Sequence, residues 1–183
     1  ERGYQLTDFD KNKKVLLVMG GSLGSKKLNN IIRQNIEALL HDYQIIHLTG
    51  KGLVDDSINK KGYVQFEFVK DDLTDLLAIT DTVVSRAGSN AIYEFLSLRI
   101  PMLLIPLGLD QSRGDQIDNA KNFESNGYGR HIPEDQLTEV NLLQELNDIE
   151  LHRESIIKQM ETYQESYTKE DLFDKIIHDA LNK

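Results

Sequence analysis

The chain has no cysteine, fewer basic than acidic residues and no long hydrophobic run. Without cysteine there is no disulfide framework, no thiolate metal site and no cysteine nucleophile. That fits a reducing compartment and is compatible with any other. No apolar stretch approaches the ~20 residues that cross a bilayer, and no secretory signal is visible. The first residue is Glu1 rather than an initiator methionine, so the chain is expected to be a processed product or an excised fragment, with a further segment lost upstream. The histidines His41, His47, His131, His152 and His178 show no metal-ligand spacing. No nucleophile elbow or catalytic triad signature occurs, and there is no internal repeat or low-complexity segment. Lys and Arg number 21 against 30 Asp and Glu, a net charge of −9, which argues against a broad nucleic-acid surface while leaving room for a local cationic site. At 183 residues the chain is long enough for one domain with a real core.

What is present begins with Val15–Met19, an unbroken apolar run that ends on Gly20-Gly21-Ser22-Leu23-Gly24. Apolar runs without alternation suit a strand buried on both faces of a parallel sheet. A helical pattern follows from about Ser25 to Leu40. Strand, glycine turn and helix N-terminus together make a phosphate cradle, because the turn brings backbone close to a ligand and the helix offers free N–H groups. The spacing is not the G-x-G-x-x-G of dinucleotide folds. The competing reading is that the glycines only permit a tight turn.

Further strands are expected at Tyr43–Thr49, Tyr63–Val69, Asp81–Ser85, Pro101–Pro106 and Gly127–Ile132. Helices are expected at about Val54–Asn59, Asp71–Ile79, Arg86–Leu98, Gly114–Ser125, Asp135–Asp148, Leu151–Tyr163 and Lys169–Leu181. Residues 1–12 are polar and mixed and are expected to be a lead-in or linker, with one domain over residues 13–183. Alternation of strands and helices implies an α/β fold with a doubly wound, Rossmann-like parallel sheet of about six strands. Its ligand crevice lies at the carboxyl edge, where strand order reverses. In the order 3-2-1-4-5-6 the turn Gly20–Gly24 and the loop Arg86–Asn90 are neighbours there.

The loop Arg86-Ala-Gly-Ser-Asn90 opens a helix that carries Glu94. Gly88, Ser89 and Asn90 can present N–H groups to a diphosphate, and Glu94 can accept from a ribose diol. Alternatively Ser89 caps the helix and Glu94 is merely solvated. Asp110–Asn119 is dense in amide and carboxylate groups, which suit sugar hydroxyls or, equally, a solvent loop.

Gly20-Gly21-Ser22-Leu23-Gly24, Phe66–Val69, Arg86–Asn90 with Glu94, and Asp115-Gln116 followed by Asn119-Ala120 occur in one order. Together they resemble the C-terminal half of the MurG family of peptidoglycan N-acetylglucosaminyltransferases, from about Lys13 to the end of the chain. The resemblance implies one half of a GT-B architecture, two Rossmann-like domains facing across a cleft. It implies a donor site for UDP-N-acetylglucosamine (UDP-GlcNAc), with no cofactor; no residue of this chain is assigned to a metal. Gly21 and Ser22 match the turn near the diphosphate. Val69 matches the residue whose backbone meets uracil, with Phe68 beside it. Ser89, Asn90 and Ala91 match the helix start near diphosphate and sugar. Glu94 matches the carboxylate on the ribose, and Asp115 with Gln116 the pair reading the glucosamine hydroxyls.

The same resemblance implies that the acceptor lipid I, the cytoplasmic face of the bacterial membrane and the general base all belong to an N-terminal half that is not in this chain. The chain by itself is then inactive and contains no catalytic residue. Its last helix, Tyr167–Leu181, would pack on that half. Two alternatives stay open: a stand-alone UDP-sugar-binding subunit that meets its acceptor domain on a second chain, and a non-catalytic nucleotide-binding module.

Overall fold

The computed structural model describes residues 1–21 and 23–166, the last three of these as backbone only. The expected helix Tyr167–Leu181 and the site residue Ser22 lie outside the described residues. Helix α1 (Arg2–Thr7) precedes strand β1 (Lys14–Met19). Helices α2 (Lys26–Gln34) and α3 (Ile36–Asp42) lead to β2 (Tyr43–Leu48) and β3 (Tyr63–Phe66). Then come α4 (Leu73–Leu77), β4 (Thr82–Ser85), α5 (Ser89–Ser97), β5 (Met102–Leu104), α6 (Asp115–Ser125) and β6 (Gly129–His131). A 3-10 turn (Glu134–Gln136), α7 (Glu139–Leu151) and α8 (Arg153–Ser166) complete the described chain.

All six strands pair in parallel, in the order β3-β2-β1-β4-β5-β6. This is the doubly wound sheet that the alternating pattern implies. Central strands have no solvent face, so Val15–Val18, Ile45, Ile46, Val83, Val84, Met102 and Leu103 are all fully buried. Helices α2, α5 and α7 cover the two faces with Leu28, Ile32, Ile92, Phe95, Leu96, Leu142 and Ile149.

Several local expectations are corrected. The lead-in is not a bare linker: Arg2–Thr7 is helical and packs on α4, with Gly3 and Thr7 buried and Phe9 in the core. The expected helix 25–40 is broken at Asn35, whose amide Nδ2 donates to Ile31 O at 2.9 Å and competes with the helical ladder. No helix forms over Val54–Asn59. There Asp55 Oδ1 accepts from Ser57 N at 3.1 Å and Ser57 Oγ at 2.6 Å, while Gln65 bonds the backbone N–H and C=O of Asp55 at 3.2 and 2.9 Å. Those local bonds outcompete a short helix, whose nucleation is costly. The third strand stops at Phe66 rather than Val69, because Glu67 turns its carbonyl to Gly50 N, 2.9 Å away. The expected helix 135–148 starts later, at Glu139, where Thr138 and Asn141 form a reciprocal capping box.

Candidate donor site at the carboxyl edge

Because every crossover is between parallel strands, the loops after β1, β4, β5 and β6 converge at one edge of the sheet. They enclose a crevice of about 680 Å³, lined by Gly20, Gly21, Lys27, Arg86, Gln116 and Glu134 among others. The two glycine-bearing loops that the strand order makes neighbours therefore share one cavity.

In the first loop, Ser25 caps α2: its Oγ accepts from Leu28 N at 3.2 Å. Gly20, Gly21 and the first residues of α2, Lys26 and Lys27, face the crevice. In the second loop, α5 begins at Ser89 with Gly88 as its N-cap residue and without any side-chain cap bond. Ser89 is thus the first helical residue and does not cap the helix. Gly88 has an ordinary φ of −68°, and a Cβ built on it meets nothing within 4 Å. The fold does not need a glycine at 88, but a ligand seated against the backbone there does.

From the third loop Gln116, in the first turn of α6, lines the crevice. Its Oε1 accepts from Leu107 N at 3.1 Å, which leaves its amide N–H groups for a ligand. Asn119 donates from Nδ2 to Ala87 O at 3.0 Å, locking α6 to the loop that precedes α5.

Of the residues expected at the site, Gly21, Ala91 and Gln116 line this crevice. Ser89 and Asn90 open α5 and are exposed beside it, and Glu94 is exposed on the next turn of α5. Asp115 is the first residue of α6 and exposed. Phe68 and Val69 follow β3 at the same edge, outside the crevice lining; Phe68 is exposed, whereas Val69 packs against the core. Asp110 lines an adjoining cavity of about 810 Å³ with Lys121 and His131. Among the described residues no group of three or more His, Asp or Glu is placed to hold a metal ion.

Two crevice residues escape the sequence reading. Arg86 is nearly buried, pairs with Glu134 at 2.6 Å and donates to Ile105 O at 3.2 Å. Arg86 was visible only as the start of its motif. Glu134 carried no signal, since nothing local separates it from neighbouring acids.

The chain matches the model of the glycosyltransferase family 28 C-terminal domain over residues 15–176. It is 83% identical over 180 residues to a protein of Staphylococcus haemolyticus named UDP-N-acetylglucosamine–N-acetylmuramyl-(pentapeptide) pyrophosphoryl-undecaprenol N-acetylglucosamine transferase, covering 98% of this chain and 51% of the relative. A protein of the same name from Staphylococcus aureus is 72% identical over 180 residues, again covering 51% of the relative. The chain therefore spans about half the length of the curated relatives it matches. Among solved structures, MurG of Acinetobacter baumannii aligns with a TM-score of 0.65 at 21% identity, over 86% of this chain and 47% of that one. The glycotransferase of kitacinnamycin aligns at 0.69 with 20% identity, over 84% of this chain and 38% of that one. These likenesses give the fold, that of a Rossmann-like half of a GT-B glycosyltransferase. Family match and sequence identity together establish that the chain belongs to the glycosyltransferase family 28 C-terminal domain family.

Proposed function

We propose that the chain is the donor-binding half of an inverting transferase that moves GlcNAc from UDP-GlcNAc to the muramoyl 4-hydroxyl of lipid I, giving lipid II. The observation that carries this reading is the open backbone at Gly88 and Gly21, both in the lining of one crevice, in a chain whose relatives are named for that transfer. The α5 N-terminus and the glycine turn bearing Gly21 and Ser22 receive the diphosphate, with Ser89, Asn90 and Ala91 at the helix start. Glu94 accepts from the ribose hydroxyls. Val69 meets uracil with its backbone, beside Phe68. Gln116 and Asp115 read the sugar hydroxyls. In such a site the protein's task is to orient the anomeric carbon and to stabilise the departing UDP, whose negative charge grows as the glycosidic bond breaks.

Inversion needs a base to take the acceptor's proton. This reading places that base, lipid I and attachment to the cytoplasmic membrane face on the part of the protein beyond this chain. No helix among the described residues is long and apolar enough to cross a membrane.

Calorimetric titration with UDP-GlcNAc, UDP and TDP tests the reading. Tighter binding of the uridine ligands, with a further gain from GlcNAc, is expected; indifference to the sugar points instead to a plain nucleotide module. Gln116→Ala is expected to weaken UDP-GlcNAc and spare UDP, whereas Glu94→Ala weakens both by about 1–3 kcal/mol, the range for a charge-assisted hydrogen bond. A folded Glu94→Ala chain with unchanged UDP affinity removes the ribose assignment.

Gly88→Ala separates fold from function. An alanine fits the existing backbone, so stability should move by no more than about 1 kcal/mol, lost cap preference offsetting reduced chain entropy. UDP binding should fall about tenfold or more as the methyl meets the ligand. Equal affinity in the variant means that no ligand approaches there.

A further inference from the structure

Glu134 sits just beyond β6, in the 3-10 turn, yet holds three other loops of the crevice. Its Oε1 accepts from Arg86 Nη2 at 2.6 Å and from Ser25 Oγ at 3.2 Å, and its Oε2 from Gln111 Nε2 at 3.3 Å. Its backbone carbonyl accepts from Lys27 Nζ. The Ser25 hydroxyl that donates to Glu134 is the one that caps α2. Through these bonds one carboxylate fixes the cap of the helix behind the glycine turn, the guanidinium after β4 and the loop before α6.

Arg86 is the second observation. Its side chain is 9% exposed, it lines the crevice, and its buried Nε–H has no hydrogen-bond partner among the described residues. A buried cation with an unspent donor is expensive to keep. A buried ion pair is also weak evidence for stability, because desolvation offsets the attraction. The arrangement makes sense if the guanidinium is stored for a ligand and Glu134 holds it in place meanwhile.

Resting on the donor reading, we propose that Glu134 is a positioning residue for the diphosphate end of the site, holding Arg86 and the α2 cap in the geometry that an anionic ligand requires. Coulomb's law alone gives the opposite sign. A carboxylate on the wall of a diphosphate site repels the ligand, so removing its charge would tighten binding. Positioning predicts loss instead. The loss is confined to ligands that carry the diphosphate, since the residues assigned to uracil and ribose do not touch Glu134.

The test is UDP titration of the 183-residue chain and its Glu134→Gln and Glu134→Asp variants by calorimetry, with uridine followed by NMR shift titration. The aspartate keeps the charge but loses the reach. UDP affinity should fall about tenfold in both variants, the factor for one charge-assisted bond, while uridine changes less than about twofold. Unchanged or tighter UDP binding in Glu134→Gln overturns the proposal, as does an equal loss for uridine and UDP. Should these variants fail to fold, Gln111→Ala removes one arm of the clamp from an exposed side chain. An approximately threefold loss of UDP affinity then supports the role, and no loss overturns it. If the unmodified chain binds no UDP, the donor reading itself fails and this role goes with it, an outcome distinct from a variant that binds as the parent does.

Discussion

A Gly24→Ala chain is expected to lose about 3–5 kcal/mol of stability, whereas Gly52→Ala loses about 1–2 kcal/mol. The two glycines have nearly the same backbone angle, φ 72° at Gly24 and 71° at Gly52. The conformational cost of putting an L-residue there is therefore common to both. Their surroundings differ. A Cβ at Gly24 would lie 2.1 Å from Thr49 O and 3.0 Å from Gly50 Cα, whereas at Gly52 it meets nothing within 4 Å. The turn after β1 is thus in backbone contact with the turn after β2, and a methyl forces the two strand ends apart. Urea unfolding of both variants measures the difference directly. Equal losses at the two positions would show that the contact is soft and that only backbone angle matters. The result also divides the glycine turn by role: both Gly21 and Gly24 line the crevice, but a Cβ at Gly21 meets nothing within 4 Å whereas Gly24 is packed against the neighbouring turn.

That division explains what could be read from sequence. A parallel sheet hides both faces of its inner strands, so β1 and β5 appear as short apolar runs without alternation, and Ile45-Ile46 and Val83-Val84 mark the centres of β2 and β4. The observed order is a common one for a doubly wound sheet, which right-handed crossovers allow but do not fix. The carboxyl-edge crevice follows in turn. Helix α1 gives no such signal because its fit depends on a small residue: a Cβ at Gly3 would lie 2.4 Å from Asp75 O. Side-chain competition for backbone groups also hides from periodicity. Asn35 interrupts a helix whose apolar pattern continues, and Gln65 dissolves the expected helix at Val54–Asn59 from 10 residues away. At the site, the glycine turn and the Arg86–Asn119 region are visible because their functional groups cluster along the chain. Glu134 is invisible because its side-chain partners Gln111, Arg86 and Ser25 lie 23, 48 and 109 residues away.

The second large effect is expected on acidification. His47, near the C-terminal end of β2, is fully buried, with its Nδ1 2.8 Å from Tyr63 Oη and its Nε2 2.9 Å from Asn29 Oδ1. Asn29 spends its own amide N–H on Thr49 O, at 2.8 Å. Its Oδ1 can therefore only accept, so the neutral ring donates from Nε2 and accepts from the tyrosine at Nδ1. Burial, helped by the nearby Arg33 charge, pushes the His47 pKa down to about 3. An unfolded histidine titrates near 6.5. Above that value neither state is protonated and His47 contributes nothing to the pH dependence. Below it the unfolded chain takes up a proton that the folded chain refuses, so stability falls steadily as the pH drops from about 6.5 toward 3. The full loss is about 4–5 kcal/mol, of which about 2–3 kcal/mol has gone by pH 4.5. His47→Gln removes the titrating group, so its own stability should fall by about 2–3 kcal/mol less between pH 7 and 4.5 than the parent's, measured by urea unfolding at both values. If parent and variant lose the same amount, the ring is not held neutral. Because Asn29 ties this histidine to Thr49, and Thr49 O lies against Gly24, the chain that links the core of β2 to the glycine turn is expected to fail together in acid. UDP binding should then be lost over the same pH range as the His47-dependent part of the stability.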